Sequence, residues 1–473
     1  MYDEPTIRAL LQKVLSYSQA EQTEVLYLAT SSALTRFANN FIHQNVAETN
    51  HELRVRAVSG KRVGVASTNR LDDESLRRVT AQALEIARLS PENPEFHSLP
   101  SPQPIVPASG YNERTANFSP EERAQNVGII VQLAKERGLE SAGAFSTDTT
   151  EIAVANSLGV FAYEPRTEAE CHAVVMADAL GSGYTQRLAT DASTINFEAM
   201  AREAVEKAQR SRNPIDFPIG EYPVVLDSYA VGDLLQNLIF MGLSATAVQE
   251  ERSFMNGQFG KQLANPRVTI YDDGHDLAGL PQAFDYEGMP KKRVVMFDSG
   301  IANAVVYDSF TAFRQGAPNT GHALPAPNPL GPLPINTMME AGDSTLEELI
   351  RGIDRGVYVT RFHYTNTVHP VKTLFTGMTS SYRCISRRAR MRSGIDLVRS
   401  TIVRISSRYC FGVLVVRPSR TSFQKTANSP VAADAVMVPS PSPSMRSSRS
   451  APLGRSPNKR AVSAANPMGS THA

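Results

Sequence analysis

Apolar residues recur at helical and strand spacings through the first part of this 473-residue chain. In residues 6–18 they follow the i, i+3, i+4, i+7 spacing that places them on one face of a helix. Residues 24–30 are mostly apolar and predict a strand, and residues 59–62 predict a hairpin turn. Asp72 and the two acidic residues after it open a second predicted helix, because negative charge is favoured at the positive end of the helix dipole.

The same order of predicted strands and helix occurs again in the middle of the chain. The helix of this second occurrence spans residues 196–211 and follows several extended segments. Residues 37–40 align loosely with residues 154–157, and residues 81–90 align with residues 201–211. Two such occurrences predict an internal duplication of a strand–strand–helix unit of about 60 residues and are too few for a solenoid.

These patterns predict an α+β fold, in which duplicated strand–strand–helix units in the N-terminal and middle sections precede a mostly β C-terminal domain. A strand of β-branched and aromatic residues at 356–364 belongs to that last domain. The predicted sections are an N-terminal α+β domain (1–100), a linker (101–120), a middle α+β domain (121–215), a C-terminal β-rich domain (216–379) and a basic, Ser/Arg-rich tail (380–473).

The charge of the chain changes abruptly after residue 379. The whole chain is 41% hydrophobic and 20% charged with a net charge of +1, which is typical of a soluble protein. Residues 380–473 nevertheless carry a net charge of +14 and contain no Glu, whereas the first 379 residues carry −13. Such a composition cannot bury enough apolar surface to offset the entropy of ordering. We therefore predict that the tail is disordered from about residue 421, or that it is translated out of frame.

Three interpretations of the tail stay open: an out-of-frame product, a solvated tail without a specific role, and a nucleic-acid-binding arm. Clustered Arg neutralises phosphate, which favours the third interpretation. Against it, Phe423 is the one aromatic residue in the sequence after Phe411, and no RGG signature occurs. Residues 395–416 are more apolar than the rest and could form a strand or a short helix.

The sequence contains neither a membrane-span pattern nor a secretory signal pattern. No run approaches the roughly 18 apolar residues that a span needs, and the N-terminus lacks a basic region followed by an apolar one. Cys171, Cys384 and Cys410 are too few and too scattered for a disulfide framework. The sequence therefore predicts a cytoplasmic protein with no membrane partner.

The nine histidines do not have the spacing of a helical zinc site. Such a site needs two ligands three or four residues apart, and no two histidines are so placed. His275 lies beside Asp272, Asp273 and Asp276, but the segment from Asp272 to Gly274 is better explained as a turn. G-x-S-x-G, Walker A and G-x-G-x-x-G motifs are also missing from the sequence. We predict no catalytic residue and no metal ligand in this chain.

The best constellation of polar residues lies on the predicted strand at 356–364. Arg361 and His363 alternate along this strand and so share one face, which could bind a carboxylate or a peptide backbone. The candidate peptide-binding residues are Tyr358, Thr360, Arg361 and His363. The alternative is an exposed edge strand with ordinary polar alternation.

Several segments, in order along the chain, resemble motifs of the TldD/PmbA family, which is also described as a family of modulators of DNA gyrase. They lie at residues 34–46, 62–71, 245–254, 269–274, 284–290, 319–323 and 355–360. The resemblance extends from residue 1 to about residue 379 and is specific, because independent segments occur in the order of the family.

The resemblance implies a subunit of a TldD–TldE assembly, a heterodimeric zinc metalloprotease that degrades unfolded or extended peptides. In that family the catalytic partner carries H-E-x-x-x-H on a helix, and its Glu is the general base for a zinc-bound water. The corresponding residues 227–250 contain no His here, and Asp233 is the only acid in the predicted helix. The chain therefore resembles the TldE/PmbA-like, non-metal-binding branch. This implies no cofactor in this chain, zinc in a TldD-like metal-bearing paralogue, and a peptide substrate.

The resemblance also leads to two structural expectations. Residues 357–364 are expected to contact an extended peptide by β-augmentation. The closing strands of the family are expected after residue 379, and loss of frame there would remove the last strands of the C-terminal sheet.

Two other functions stay open from the sequence. One is a DNA-associated modulator that acts through the basic C-terminal tail, although the sequence gives little support to nucleic acid as a partner. The other is an enzyme that acts alone through residues that no motif reveals. Whether the chain has an activity of its own is therefore undecided at the level of sequence.

Overall fold

Long strands dominate the first half of the molecule. The computed structural model describes residues 2–177, 181–212, 220–386, 401–405 and 414–418. The helices there are α1 Glu4–Tyr17, α2 Asp73–Leu89, α3 Glu113–Ala116, α4 Pro120–Glu136, α5 Phe197–Arg210, α6 Ser228–Gly242, α7 Ala245–Gln249, α8 Ser309–Gln315 and α9 Leu346–Arg351. The strands are β1 Gln22–Ala38, β2 Phe41–Ser59, β3 Arg62–Thr68, β4 Glu140–Asn156, β5 Phe161–Met176, β6 Ser182–Ala189, β7 Gly220–Tyr222, β8 Val224–Leu226, β9 Ile270–Asp272, β10 Val294–Asp298, β11 Ile301–Ala302, β12 Thr337–Met339, β13 Arg355–His369, β14 Leu374–Ser386, β15 Thr401–Ile405 and β16 Leu414–Pro418. None of these described helices has both the length and the apolar character needed to cross a membrane.

Six strands of the described chain form one antiparallel sheet in the order β3-β2-β1-β4-β5-β6. Tight turns connect its hairpins, and residues with positive φ lie in them: Asn39 and Asn40 after β1, Gly60 after β2 and Gly159 after β4. Asn and Gly tolerate this left-handed conformation, which short hairpin turns require. The turn predicted at residues 59–62 is confirmed.

This sheet is built from two copies of one unit, each with three strands and a helix. In the first copy β1, β2 and β3 precede α2, and in the second copy β4, β5 and β6 precede α5. β1 and β4 pair with each other along most of their length, so the two copies share one sheet. The predicted α+β class with duplicated units is thus confirmed, and each unit has one strand more than the strand–strand–helix pattern indicated.

The two faces of the shared sheet pack against different parts of the chain. On one face, residues such as Val25 and Phe145 pack against the apolar stripes of the helices, for example against Ile7 of α1. On the other face, residues such as Val154 pack against Phe284 of the C-terminal section. The period of two along a strand separates these two sets of residues.

The C-terminal section contains two further sheets within the described residues. One has the strand order β11-β10-β9-β12, and the other has the order β7-β16-β15-β14-β13-β8. In the second sheet, β13 pairs in parallel with β8 and antiparallel with β14. Helix α6 packs against β13, and this contact positions the candidate site.

The boundary predicted after residue 379 does not end this sheet. β14 continues to Ser386, and β15 and β16 extend the sheet beside it, so three strands take residues from the predicted tail. β-branched and other apolar residues in β15 and β16 supply the strand pattern, in agreement with the more apolar segment at 395–416. The C-terminal sheet therefore has closing strands. The disorder predicted from residue 421 lies outside the described residues.

Candidate functional site

The candidate site lies where α6 packs against β13. Helix α6 begins after Asp227, whose carboxylate accepts the N–H of Ser228 at 2.8 Å. Further along the helix, the Asp233 carboxylate accepts the backbone N–H of Phe362 on β13 at 3.1 Å. One turn later, the Asn237 amide donates to the backbone carbonyl of Asp233 at 2.8 Å. These polar side chains therefore attach α6 to the sheet and to itself.

A cleft of about 270 Å³ opens beside Asp233, between α6, β6 and β13. The residues that line it are Tyr184, Gln186, Ser228, Tyr229, Gly232, Asp233 and Arg361. The Arg361 guanidinium lies over the Tyr184 ring, 3.8 Å from its centroid, in a cation–π contact. Burial raises the pKa of Asp233, although the charges of Arg361 and His363 oppose this change. The cleft thus presents a guanidinium and a partly buried carboxylate.

A network of hydrogen bonds joins α5 to the start of α6 and to β13. Lys207 Nζ lies 2.7 Å from Glu203 and 3.2 Å from Asp227. Tyr358 donates its hydroxyl proton to Asp227 at 2.7 Å, and Tyr229 donates to Glu203 at 3.0 Å. Burial works against the ionised form of Asp227, but Tyr358 and Lys207 outweigh it and hold the pKa of Asp227 below its usual value. The network therefore fixes α6 and β13 relative to the second repeat of the first sheet.

The structure separates the four predicted peptide-binding residues into two groups. Tyr358 and Thr360 are buried, with exposed fractions of 5% and 6%. Arg361 lines the cleft, and His363 is exposed beside Tyr364, with ring centroids 4.2 Å apart. Arg361 and His363 are thus accessible to a ligand, whereas Tyr358 and Thr360 are not.

The strand β13 does not offer a free edge over the first part of the segment where β-augmentation was expected. Residues 357–359 pair with β8 on one side and with β14 on the other. Further along, the Phe362 N–H is already bonded to Asp233. The expectation of an added peptide strand at residues 357–359 is therefore wrong, because both edges of the strand already carry backbone pairing.

The donor groups on α6 do not fit a zinc ion. Zinc sites in proteins use His nitrogen, Cys sulfur and carboxylate oxygen, most often four ligands in a tetrahedron. Helix α6 supplies Asp233 alone, and Asn237 occupies the position one turn later. Within the described residues, no group of three or more His, Cys, Asp and Glu side chains could hold a metal ion.

The aspartates near His275 form a turn and a buried pair. Asp273 accepts the backbone N–H of His275 at 2.9 Å, as the turn prediction requires. Asp272 is fully buried, and its carboxylate lies 2.8 Å from the ring of His322. Burial lowers the pKa of His322 to about 4, so the ring is neutral at pH 7.

A cluster of buried charges connects the first sheet to the C-terminal section, and sequence reasoning missed it. Arg56 on β2 lies 2.5 Å from Glu24 and 3.0 Å from Glu287. Burial, together with the charge of Glu287, raises the pKa of Glu24 to about 7, although Arg56 opposes this. The Arg56 guanidinium thus contacts both carboxyl groups. The matched segment at 284–290 contains Glu287, but nothing in the sequence associates it with Arg56, which lies 231 residues away.

Two further charged groups lie deep in this region. Burial, together with the charge of Glu287, raises the pKa of Asp285 to about 7. Lys291 is buried as well, and its Nζ has no hydrogen-bond partner in the described part of the chain. Burial lowers the pKa of Lys291, against the opposing charges of Asp272 and Asp285. Ionisable groups buried in this way carry an energetic cost, so they mark a region that is constrained by more than packing.

A groove of about 990 Å³ runs beside the Arg56 cluster. Its lining includes Arg56, Glu287 and Asp308, and burial raises the pKa of Asp308. The His97 ring stacks on the exposed Phe313 ring at the groove, with centroids 4.1 Å apart. The groove therefore brings solvent to the edge of the buried charges.

Three family models match the chain in order. The model of PmbA/TldA metallopeptidase domain 1 matches residues 23–87, that of the central domain matches residues 117–212, and that of the C-terminal domain matches residues 219–387. Together these matches span well over half of the chain.

Two curated relatives with the name Metalloprotease TldD homolog also match. The protein of Buchnera aphidicola subsp. Acyrthosiphon pisum is 25% identical over 346 residues, which is 68% of this chain and 71% of that protein. The protein of Haemophilus influenzae is 24% identical over 371 residues, which is 74% of this chain and 76% of that protein.

Solved structures share the fold at lower sequence identity. TldE from Thermococcus kodakarensis is 20% identical with a TM-score of 0.75, over 85% of this chain and 90% of that chain. A putative modulator of a DNA gyrase from Thermotoga maritima is 20% identical with a TM-score of 0.74, over 87% of this chain and 98% of that chain. At this level of identity the likeness shows the fold alone.

Proposed function

Because this chain belongs to the PmbA/TldD metallopeptidase family, we propose that it is the subunit without zinc of a TldD–TldE-type metalloprotease. The zinc site would lie in a TldD-like paralogue, and the assembly would cleave unfolded or extended peptides. In this role the chain supplies part of the wall around the substrate and none of the groups that activate water.

The observation that carries this proposal is the engagement of Asp233 on α6. Its carboxylate accepts the Phe362 N–H, and Asn237, one turn later, donates back to the helix. A metal-ligating helix needs imidazole or carboxylate side chains that point together at one ion. Here the Asp233 carboxylate of α6 binds the backbone of β13, which supports a structural role for this helix.

The accessible side chains of β13 support contact with a peptide. Arg361 lines the cleft with donors that can reach a carboxylate or a backbone carbonyl, and His363 is exposed two residues along the same strand. The partly buried Asp233 carboxylate can accept a backbone N–H that enters the cleft. Such groups recognise the backbone and the termini of a peptide, which suits a protease with little side-chain preference.

The experiment measures peptide cleavage by the purified chain, by its TldD-like paralogue, and by the mixture, each with added zinc. We expect no zinc-dependent cleavage by the chain alone and cleavage by the mixture. As a control, the Glu of H-E-x-x-x-H in the paralogue is replaced by Gln, which should abolish cleavage by the mixture. Zinc-dependent cleavage by this chain alone would refute the proposal.

A further inference from the structure

Within the part of the chain that the structure describes, no strand pairs with the outer edge of β2 along residues 41–52. On its inner edge β2 pairs with β1 down to the pair Ala38 and Phe41. On its outer edge β3 pairs with β2 only from Leu53 to Ser59. Among the residues that the structure describes, none pairs its backbone with the remaining outer edge, and residues 41–50 are all exposed.

The second copy of the unit shows the same edge in a covered form. Residues 161–168 of β5 correspond to this part of β2, and each of them is buried or half-buried. The Thr167 N–H donates to the carbonyl of Gly110 at 2.9 Å, and the Ala283 N–H donates to Glu164 at 2.7 Å. Among the described residues, this edge is thus covered in the second repeat and bare in the first.

The bare edge carries few of the features that keep such edges apart. Residues 41–52 contain no Lys, no Arg and no Pro, and their acidic side chains are those of Glu48 and Glu52. Phe41, Ile42 and Val46 are exposed by 55%, 38% and 39% of their surface. Natural proteins protect exposed edges with charges, prolines or cover from another element, and a long edge with few of these features is prone to pair with another strand.

We propose that residues 41–51 pair antiparallel with the same residues of a second copy of this chain, about a two-fold axis at Val46. Every second residue of a strand directs its backbone N–H and C=O groups to the same edge. In a self-pairing centred on one residue, opposite residues are an even number of positions apart, so their backbone groups face each other and can form hydrogen bonds. Gln44 then lies opposite the second copy's Glu48, an amide against a carboxylate. No carboxylate faces another carboxylate in this register, and like charges directly opposite would destabilise it.

The pairing joins the first sheets of two molecules into one continuous sheet. It concerns the chain by itself and does not depend on the peptidase assignment. The test therefore uses the full-length chain without the paralogue, so that its failure leaves the proposed function untouched.

The first experiment compares the mass in solution of the wild-type chain with two variants, by light scattering after size-exclusion chromatography. Val46→Lys places two ammonium groups opposite each other and should raise the dimer dissociation constant at least about tenfold. Leu188→Lys on β6, the other edge strand of the sheet, is the matched control because Leu188 is 47% exposed. It should dimerise like the wild type, and circular dichroism should show all three chains folded. A monomeric wild-type chain, or a Val46→Lys chain that dimerises normally, would overturn the proposal.

The second experiment tests the register by disulfide formation. Residues directly opposite each other have the Cβ separation that a disulfide bridges, so oxidation of Val46→Cys should give a covalent dimer. The oxidation removes two electrons and two protons from the two thiols, with molecular oxygen as the acceptor. Asn50→Cys lies opposite Ile42 of the second copy and should not cross-link. Equal cross-linking of both variants, or cross-linking of neither, would show that this register is wrong. If the edge pairs with the paralogue but not with a second copy of this chain, the proposed dimer is wrong.

Discussion

At the scale of single residues, two glycines mark where a helix lies directly against a strand. Gly64 on β3 faces the backbone of α2 at Ala83 and Ala87, and a Cβ there would overlap it. Gly183 on β6 faces the backbone of α5 at Ala204 in the same way. Both copies of the unit thus use the same residue type for the same close approach.

This close approach predicts that Gly64→Ala destabilises the protein by about 2 kcal/mol, because backbone atoms cannot move aside as a flexible side chain can. Urea unfolding followed by circular dichroism measures the change. Gly128→Ala on α4 is the control, since an added Cβ there meets no atom within 4 Å. Alanine favours a helix over glycine, so this control should be stabilised by up to about 1 kcal/mol. A Gly64→Ala chain as stable as the wild type would refute this close packing.

The pKa of Glu24 predicts a dependence of stability on pH. Folded Glu24 keeps its proton up to about pH 7, because its pKa is raised to that value, whereas the unfolded side chain loses the proton near its ordinary pKa of 4.5. Folding therefore binds a proton between these values, and stability is lost as the pH rises through this window. The wild type should lose about 2 kcal/mol more than Glu24→Gln between about pH 5 and pH 8.

Urea unfolding at a series of pH values measures this difference for the wild type and for Glu24→Gln. Asp285 contributes in the same direction but is present in both chains, so the comparison isolates Glu24. Glu85→Gln, a substitution at an exposed position on α2, should leave the pH dependence unchanged. Parallel curves for the wild type and Glu24→Gln would show that Glu24 is ionised throughout.

At the scale of secondary-structure elements, α4 shows what hydrophobic periodicity overlooks. The predicted linker ends at Pro120, the first residue of this helix. Ser119 and Glu122 form a capping box, with bonds of 3.1 Å and 2.9 Å, so a start signal was present in the sequence. The inward face of α4 is interrupted by Arg123, which is 1% exposed and donates to the Phe118 carbonyl at 2.7 Å. A buried Arg breaks the apolar stripe that the prediction relied on.

The elements that the sequence predicts well depend on neighbours along the chain. The caps of α1 and α2 and the turn at Gly60 each require only a few adjacent residues. The cleft is different, because Arg361 meets Tyr184 and Asp233 only after three distant elements have packed. Strand spacing identified Arg361, but no local signal could supply its neighbours.

The network between α5, α6 and β13 predicts a cost for Tyr358→Phe that depends on pH. Loss of the hydrogen bond to Asp227 should cost about 1–2 kcal/mol near neutral pH, because the carboxylate stays charged and partly buried. The folded pKa of Asp227 lies below the unfolded one. The stabilisation is therefore present above about pH 4 and is lost as the pH falls through the folded pKa. The variant and the wild type should converge in acid when urea unfolding is measured over a pH series.

The control for this substitution is Tyr364→Phe on the same strand, where Tyr364 is 72% exposed. It should unfold like the wild type at every pH. A cost for Tyr358→Phe that stays constant into acid would mean that the hydroxyl stabilises something other than the ionised Asp227.

At the scale of the whole molecule, the C-terminal sheet extends beyond residue 379, where the charge of the sequence changes. The first 379 residues carry −13, yet β14, β15 and β16 continue the C-terminal sheet to Pro418. Residues 420–473 keep a net charge of +6. A deletion that begins at residue 380 would therefore remove strands and basic residues together, and it could not test the basic residues alone.

Two truncations separate these effects. A chain that ends at Thr379 loses half of β14 and all of β15 and β16. β7 then loses its pairing with β16, β13 loses its pairing with residues 381–386, and the chain should aggregate. A chain that ends at Ser419 keeps every described strand and should fold, as followed by circular dichroism and thermal unfolding. Mixed with the TldD-like paralogue, it should support peptide cleavage as the full chain does.

The Ser419 truncation also separates the peptidase assignment from a function on DNA. A basic arm binds duplex DNA through its phosphates, so its removal lowers both the affinity and the dependence on salt. If DNA affinity falls while cleavage with the paralogue is unchanged, the basic residues bind nucleic acid and are not required for peptide cleavage. We expect unchanged cleavage and no specific DNA affinity to lose, measured by titration of a fluorescent duplex at several salt concentrations. A folded Ser419 chain that fails to support cleavage would contradict the separation of the basic residues from the peptidase assembly.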